Sequence, residues 1–114
     1  MPFINIKTNK SVSAQKKQEI ENKLSDAISL IPGKSDRYLM LALEDEISMM
    51  FHRDTDCGIA MVEVKIFGKS DKDSYTKLTQ RICEILDEEA GVSPDCCFVK
   101  FEEVALWGYN GFMF

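Results

Sequence analysis

Residues 33–44 read Gly33-Lys34-Ser35-Asp36-Arg37-Tyr38-Leu39-Met40-Leu41-Ala42-Leu43-Glu44, and residues 91–102 read Gly91-Val92-Ser93-Pro94-Asp95-Cys96-Cys97-Phe98-Val99-Lys100-Phe101-Glu102. Set over one another at an offset of 58 residues, both open on Gly-x-Ser, carry alternating apolar positions (Leu39, Leu41, Leu43 over Cys97, Val99, Phe101) and close on an acidic pair, Glu44-Asp45 over Glu102-Glu103. The same offset lays Phe51 over Tyr109. It lays Ile4 and Ile6 over Val62 and Val64. It also lays Ile20, Leu24, Ala27 and Ile28 over Leu78, Ile82, Ile85 and Leu86. A self-similarity of this length marks a duplicated supersecondary unit.

Each half reads as strand, helix, strand. The strands fall near 2–7 and 38–44 in the first half, and near 58–67 and 96–101 in the second. The helices, near 13–31 and 71–89, follow from apolar residues recurring at spacings of three and four, with polar Glu89 as the exception. Ser11 or Ser13 can cap the first helix and Asp71 or Asp73 the second. Pro32-Gly33 and Gly91 supply the stops. A strand–helix–strand unit pairs its strands in parallel with a right-handed crossover. Two units give an α+β, two-layer sandwich: a four-stranded mixed sheet with both helices on one face, as a single domain over 1–114.

Alternation sorts the faces. Ile4, Ile6, Leu39, Leu41, Leu43, Val62, Val64, Val99 and Phe101 turn to the helices. The other face collects Phe3, Tyr38, Met40, Met61 and Phe98 together with Asn5, Lys7, Glu63, Lys65 and Lys100. It is too apolar for open water and too polar for a dry core. Such a face suits a partly wet centre shared by identical subunits, so we expect a closed oligomer. Ile47–Phe51 and Trp107–Tyr109 are short strand-like pieces placed to extend a neighbour's sheet.

The net charge of −5 and the absence of a basic stripe argue against nucleic acid. No apolar run is long enough to span a membrane, and the polar opening (Asn5, Lys7, Asn9, Lys10) does not read as a secretory signal, which points to the cytosol. The four cysteines, Cys57, Cys83, Cys96 and Cys97, include no CxxC pair. With the single His52 they give no zinc set, and we expect reduced, mostly buried thiols. No cofactor is implied.

Pro2 follows Met1, and a small second residue permits removal of the initiator. A chain beginning with proline carries a secondary amine. Burial and nearby cations would lower the pKa of such an amine from about 8, leaving it neutral and able to take a proton. Lys34, in the loop after Pro32-Gly33, could hold a substrate carboxylate and keep that amine uncharged. The backbone N–H at Phe67-Gly68 could hold an oxyanion. The tail Trp107–Phe114 carries four aromatic residues and could wall a pocket.

Taken in order, Met1-Pro2, Thr8-Asn9, Gly33-Lys34 with Tyr38, Phe67-Gly68-Lys69 with Ser74-Tyr75 and Lys77-Leu78, Ser93-Pro94-Asp95 and Trp107-Gly108-Tyr109-Asn110-Gly111 resemble the macrophage migration inhibitory factor family of the tautomerase superfamily, over essentially the whole chain. The resemblance implies a homotrimer with active sites between subunits and no cofactor. It implies that Pro2 is the general base in keto–enol isomerisation of phenylpyruvate-type α-keto acids. Lys34 and the Phe67 N–H would bind the substrate carboxylate, and Tyr38, Trp107, Tyr109 and Phe114 would line the pocket. Phe98 stands where the family usually has a tyrosine and Lys100 where it has an asparagine. The family's CxxC is broken, with Cys57 kept and Ala60 in the second place, so redox activity is not carried over. Some members are cytokines that leave the cell without a signal peptide and engage a host cell-surface receptor. That is the alternative reading, with tautomerase activity incidental.

Overall fold

The computed structural model describes all 114 residues, Met1–Phe114. Strand β1 (Pro2–Thr8), helix α1 (Ala14–Ala27) and strand β2 (Met40–Glu44) form the first unit; β3 (Ala60–Phe67), α2 (Lys72–Ala90) and β4 (Cys97–Val104) form the second; β5 (Gly108–Tyr109) and β6 (Phe112–Met113) follow. The sheet order is β2-β1-β3-β4, with parallel outer pairs and an antiparallel centre. This is the expected α+β fold.

The duplication is exact in register. Ile4 and Ile6 pair with Leu41 and Leu43, as their repeat mates Val62 and Val64 pair with Val99 and Phe101. At the seam, Asn5 pairs with Glu63, its own repeat mate, so the pseudo-twofold axis relating the halves passes through that pair.

Caps set the helix ends. The Ser13 side chain accepts from the Lys16 N–H, and the Asp71 side chain accepts from the Ser74 N–H. Gly91, at φ +68, takes the left-handed cap of α2. The first helix ends earlier than its pattern suggests. It tightens at Ile28 into a 3₁₀ turn, Ile28–Leu30, which still buries Ile28 and delivers Ile31 to the core. Asp36–Tyr38 is likewise a 3₁₀ turn and not strand, because the β1–β2 pairing begins only at Phe3 with Met40.

The core lies between the sheet and the helices. Ile4, Ile6, Val62, Val64 and Ile66 meet Ile20, Leu24, Ile28, Leu78, Ile82, Ile85 and Leu86, all fully or almost fully buried. Each such side chain contributes roughly 1.5–3 kcal/mol. Leu39, Leu41, Leu43, Val99 and Phe101 pack at its margin, on the face the alternation assigned to them. Glu89, polar at an apolar position of the helix period, is explained by Lys16 and Lys23 of α1, which pair with it at 3.3 and 3.2 Å. No helix is long and apolar enough to cross a membrane.

The strand-like piece Ile47–Phe51 is not a regular strand; only Phe51 makes a bridge, to Asp54. Trp107–Tyr109 contributes β5, whose partner within the chain is β6. The turn between them, Asn110-Gly111, has φ +52 and +81 at its two central residues. Positive φ at both centres is the tight hairpin turn that Asn-Gly favours.

Candidate active site

Pro2 opens β1 and is buried, opposite Ile66 of β3. Proline is tolerated there because it is the first residue of its strand. Beside it lies a cavity of about 640 Å³ lined by Met1, Pro2, Phe3, Arg37, Tyr38, Leu39, Met40, Trp107, Gly108 and Tyr109. That size and apolar character suit a small organic ligand.

Three contacts organise the chain start beside it. The Phe67 N–H donates to the Met1 carbonyl at 3.0 Å, and the Lys34 Nζ donates to the Phe67 carbonyl at 2.8 Å. The Met1 amine is held below its ordinary value, first by burial and then by the charge of Lys34 and a hydrogen bond with it. Lys34, the Phe67 peptide and the start of the chain therefore meet at one point. The loop that carries Lys34 is set by Gly33, at φ +79, and by the Lys34 N–H donating to Ile31.

The wall is aromatic. Tyr38 and Tyr109 meet edge-on at 5.5 Å between ring centres, and Phe114 stacks near Tyr109 at 6.2 Å and near Phe67 at 6.0 Å. The hairpin places these rings, since the Phe114 N–H returns to the Trp107 carbonyl at 2.9 Å. Pro2, Tyr38, Trp107 and Tyr109 thus line one cavity. Lys34, Phe67 and Phe114 do not line it: the first two meet the chain start beside it, and Phe114 packs near Tyr109 and Phe67.

Phe98 and Lys100 lie elsewhere within the chain. Both project from β4 on the sheet face away from the helices. Phe98 packs on Phe51 at 5.0 Å, and Lys100 pairs with Glu102 at 2.8 Å. Phe98 also lines a second, apolar cavity of about 100 Å³ with Met49, Met50 and Cys96 among its walls. Sequence reasoning missed Arg37, Phe3, Leu39, Met40 and Gly108 as lining residues. Arg37 had a visible signal: it sits between Lys34 and Tyr38, both already singled out.

The cysteines are half-buried and not sequestered in the core. Cys96 closes a 3₁₀ turn, Pro94–Cys96, and Cys97 opens β4. Each meets a partner thiol: Cys96 lies 3.9 Å from Cys57, and Cys97 sits against Cys83; burial first, and then Cys83, pushes the Cys97 thiol up to about 12. No group of three or more His, Cys, Asp or Glu residues is arranged to hold a metal ion. Thr8-Asn9 proves structural. The Thr8 hydroxyl donates to the Ile59 carbonyl at 2.8 Å. The Asn9 side chain accepts from the Ile59 N–H and donates to the Cys57 carbonyl, both at 2.8 Å, pinning the loop that enters β3.

The model of the macrophage migration inhibitory factor family matches residues 1–114. The chain belongs to that family. Among solved structures it is similar to Leishmania major MIF2, at 24% identity and a TM-score of 0.93, covering 100% of this chain and 97% of that one. It is similar to the macrophage migration inhibitory factor homologue of Prochlorococcus marinus, at 28% identity and a TM-score of 0.88, covering 98% of each chain. It is also similar in fold to Pt0534 inactivated by 2-oxo-3-pentynoate, at 15% identity and a TM-score of 0.85, covering 97% of this chain and 95% of that one. Comparison with curated proteins gives no match.

Proposed function

We propose that this chain is a tautomerase that interconverts the enol and keto forms of phenylpyruvate-type α-keto acids, with the Pro2 nitrogen as general base once Met1 has been removed. The observation that carries this reading is the convergence of Lys34 and the Phe67 peptide on the chain start, whose Met1 and Pro2 line an aromatic-walled cavity. The Met1 carbonyl oxygen stands in for a substrate oxygen there. Removal of Met1 frees the Phe67 N–H and exposes the Pro2 amine at the same place.

The chemistry follows from those groups. Lys34 attracts the substrate carboxylate, helped by the Phe67 N–H. Burial and Lys34 keep the amine neutral, as they already depress the amine of Met1. The amine takes the enol hydroxyl proton and a proton is delivered to C3. The carbonyl forms as the carbon–carbon double bond is lost, and no atoms are gained or lost overall. Inactivation of the similarly folded Pt0534 by a 2-oxo acid is consistent with a site for that class.

The active form in this proposal is a trimer. Met40 and Phe98 on the outer sheet face are 67% and 59% exposed, and Phe112 of the hairpin is 72% exposed. Side chains of that size, gathered on one face, call for cover. A neighbour packed there would bring its Phe98 and Lys100 to the rim of the Pro2 cavity. Light scattering should then give three times the 13.0 kDa chain mass; a monomer would remove the intersubunit site. The activity itself is tested by phenylpyruvate enol-to-keto conversion, with mass spectrometry to show whether the mature chain begins at Pro2.

A further inference from the structure

Arg37 is the only charged side chain lining the large cavity, in a chain of net charge −5. It forms none of the ion pairs of the protein and its guanidinium makes no hydrogen bond, even though Asp36 is its neighbour. The guanidinium sits 5.3 Å from the Tyr38 ring centre. Tyr38 is braced in turn by Tyr109. A cation held over a ring loses freedom without spending its donors, so its five N–H groups are left for a ligand. A planar fork of that kind matches a carboxylate in two parallel hydrogen bonds.

We propose that Arg37 is a specificity-determining residue that selects 2-oxo acids carrying a second carboxylate at their far end. The proposal rests on the tautomerase reading above for the orientation of the ligand. Lys34, beside the chain start, takes the α-carboxylate, the apolar walls take the body, and Arg37 meets the distal anion beside Tyr38. A cavity of about 640 Å³ leaves room for a substituent beyond a phenyl ring.

The test separates binding from turnover. Cinnamate and 4-carboxycinnamate, which do not react, are titrated calorimetrically into wild type, Arg37→Gln and Arg37→Lys. Wild type should bind the diacid about tenfold or more tightly, the scale of one charge-assisted hydrogen bond at a wet site. Arg37→Gln should bind the two alike, and Arg37→Lys should recover only part of the preference because the fork is lost. With phenylpyruvate and 4-carboxyphenylpyruvate the same preference should appear in the ratio of their KM values, and Arg37→Gln should abolish it. Equal affinity of wild type for both cinnamates would overturn the proposal, as would an equal loss of both in Arg37→Gln. Undiminished turnover by Pro2→Gly would instead sink the tautomerase reading and leave the calorimetric result on Arg37 standing.

Discussion

Replacing Lys34 by Met keeps the length of the side chain and removes its charge. In the structure that charge has no carboxylate partner; it donates to the Phe67 carbonyl at 2.8 Å and acts on the amine at the chain start. Two losses follow. The first is one charge-assisted bond to the substrate carboxylate, about 1.5–3 kcal/mol, or roughly 10- to 150-fold in kcat/KM. The second concerns the base. The site lowers the Met1 amine, first by burial and then by Lys34, and would act in the same direction on the Pro2 amine that takes its place, so the reactive neutral form would persist to lower pH. Without Lys34 the amine moves back up, and the acid limb of kcat/KM against pH shifts to higher pH. Steady-state rates for phenylpyruvate across pH 5–9 (about four units, spanning the ordinary amine value near 8) read both effects. An unchanged KM together with an unmoved acid limb would refute the assignment of Lys34.

Two further outcomes concern the scaffold. In Gly58→Ala the new Cβ would collide with the Gly91 carbonyl oxygen and stand 3.2 Å from the Val92 Cα, both main chain. The loop into β3 must move away from the end of α2, so urea unfolding should show a loss of about 3 kcal/mol; a loss under roughly 0.5 kcal/mol would contradict that packing. Tyr75 donates to Glu103 at 2.7 Å, and burial followed by this bond and its charge raises the phenol pKa from 10.0 to about 12. Its neutral form is the one the fold favours. That share of stability is complete below pH 10 and is lost as pH rises through about 12. Wild type should therefore lose stability on this alkaline limb and Tyr75→Phe should lose less; equal slopes in urea midpoints would show that the contact does not form in solution.

Much of the architecture was legible because the repeat states each element twice. Ser13 and Asp71 were readable as caps, and Ile4, Ile6, Val62 and Val64 as core. The errors lie where periodicity continues past its cause. Alternation runs on through Tyr38 and Leu39, yet the ladder starts at Met40, since β1 offers no earlier partner than Phe3. Ile31 keeps the apolar spacing of α1 after the helix has tightened into 3₁₀ geometry. The β5–β6 hairpin carried an open signal in Asn110-Gly111 that attention to the aromatic residues passed over. The site was legible in part: Pro2, Lys34 and Tyr38 by type and position, Phe67 through its backbone. Arg37 lay between Lys34 and Tyr38, but an arginine in a loop reads as solvated until the cavity beside it is seen.

The central claim is that the Pro2 amine moves the proton. The direct measurement is phenylpyruvate enol-to-keto conversion by wild type and Pro2→Gly, each shown by mass spectrometry to have lost Met1. A general base contributes about 10²–10⁴-fold, so Pro2→Gly should fall by at least the lower figure while its fold stays intact. Equal rates for the two proteins, or full activity in a chain that retains Met1, would contradict the account.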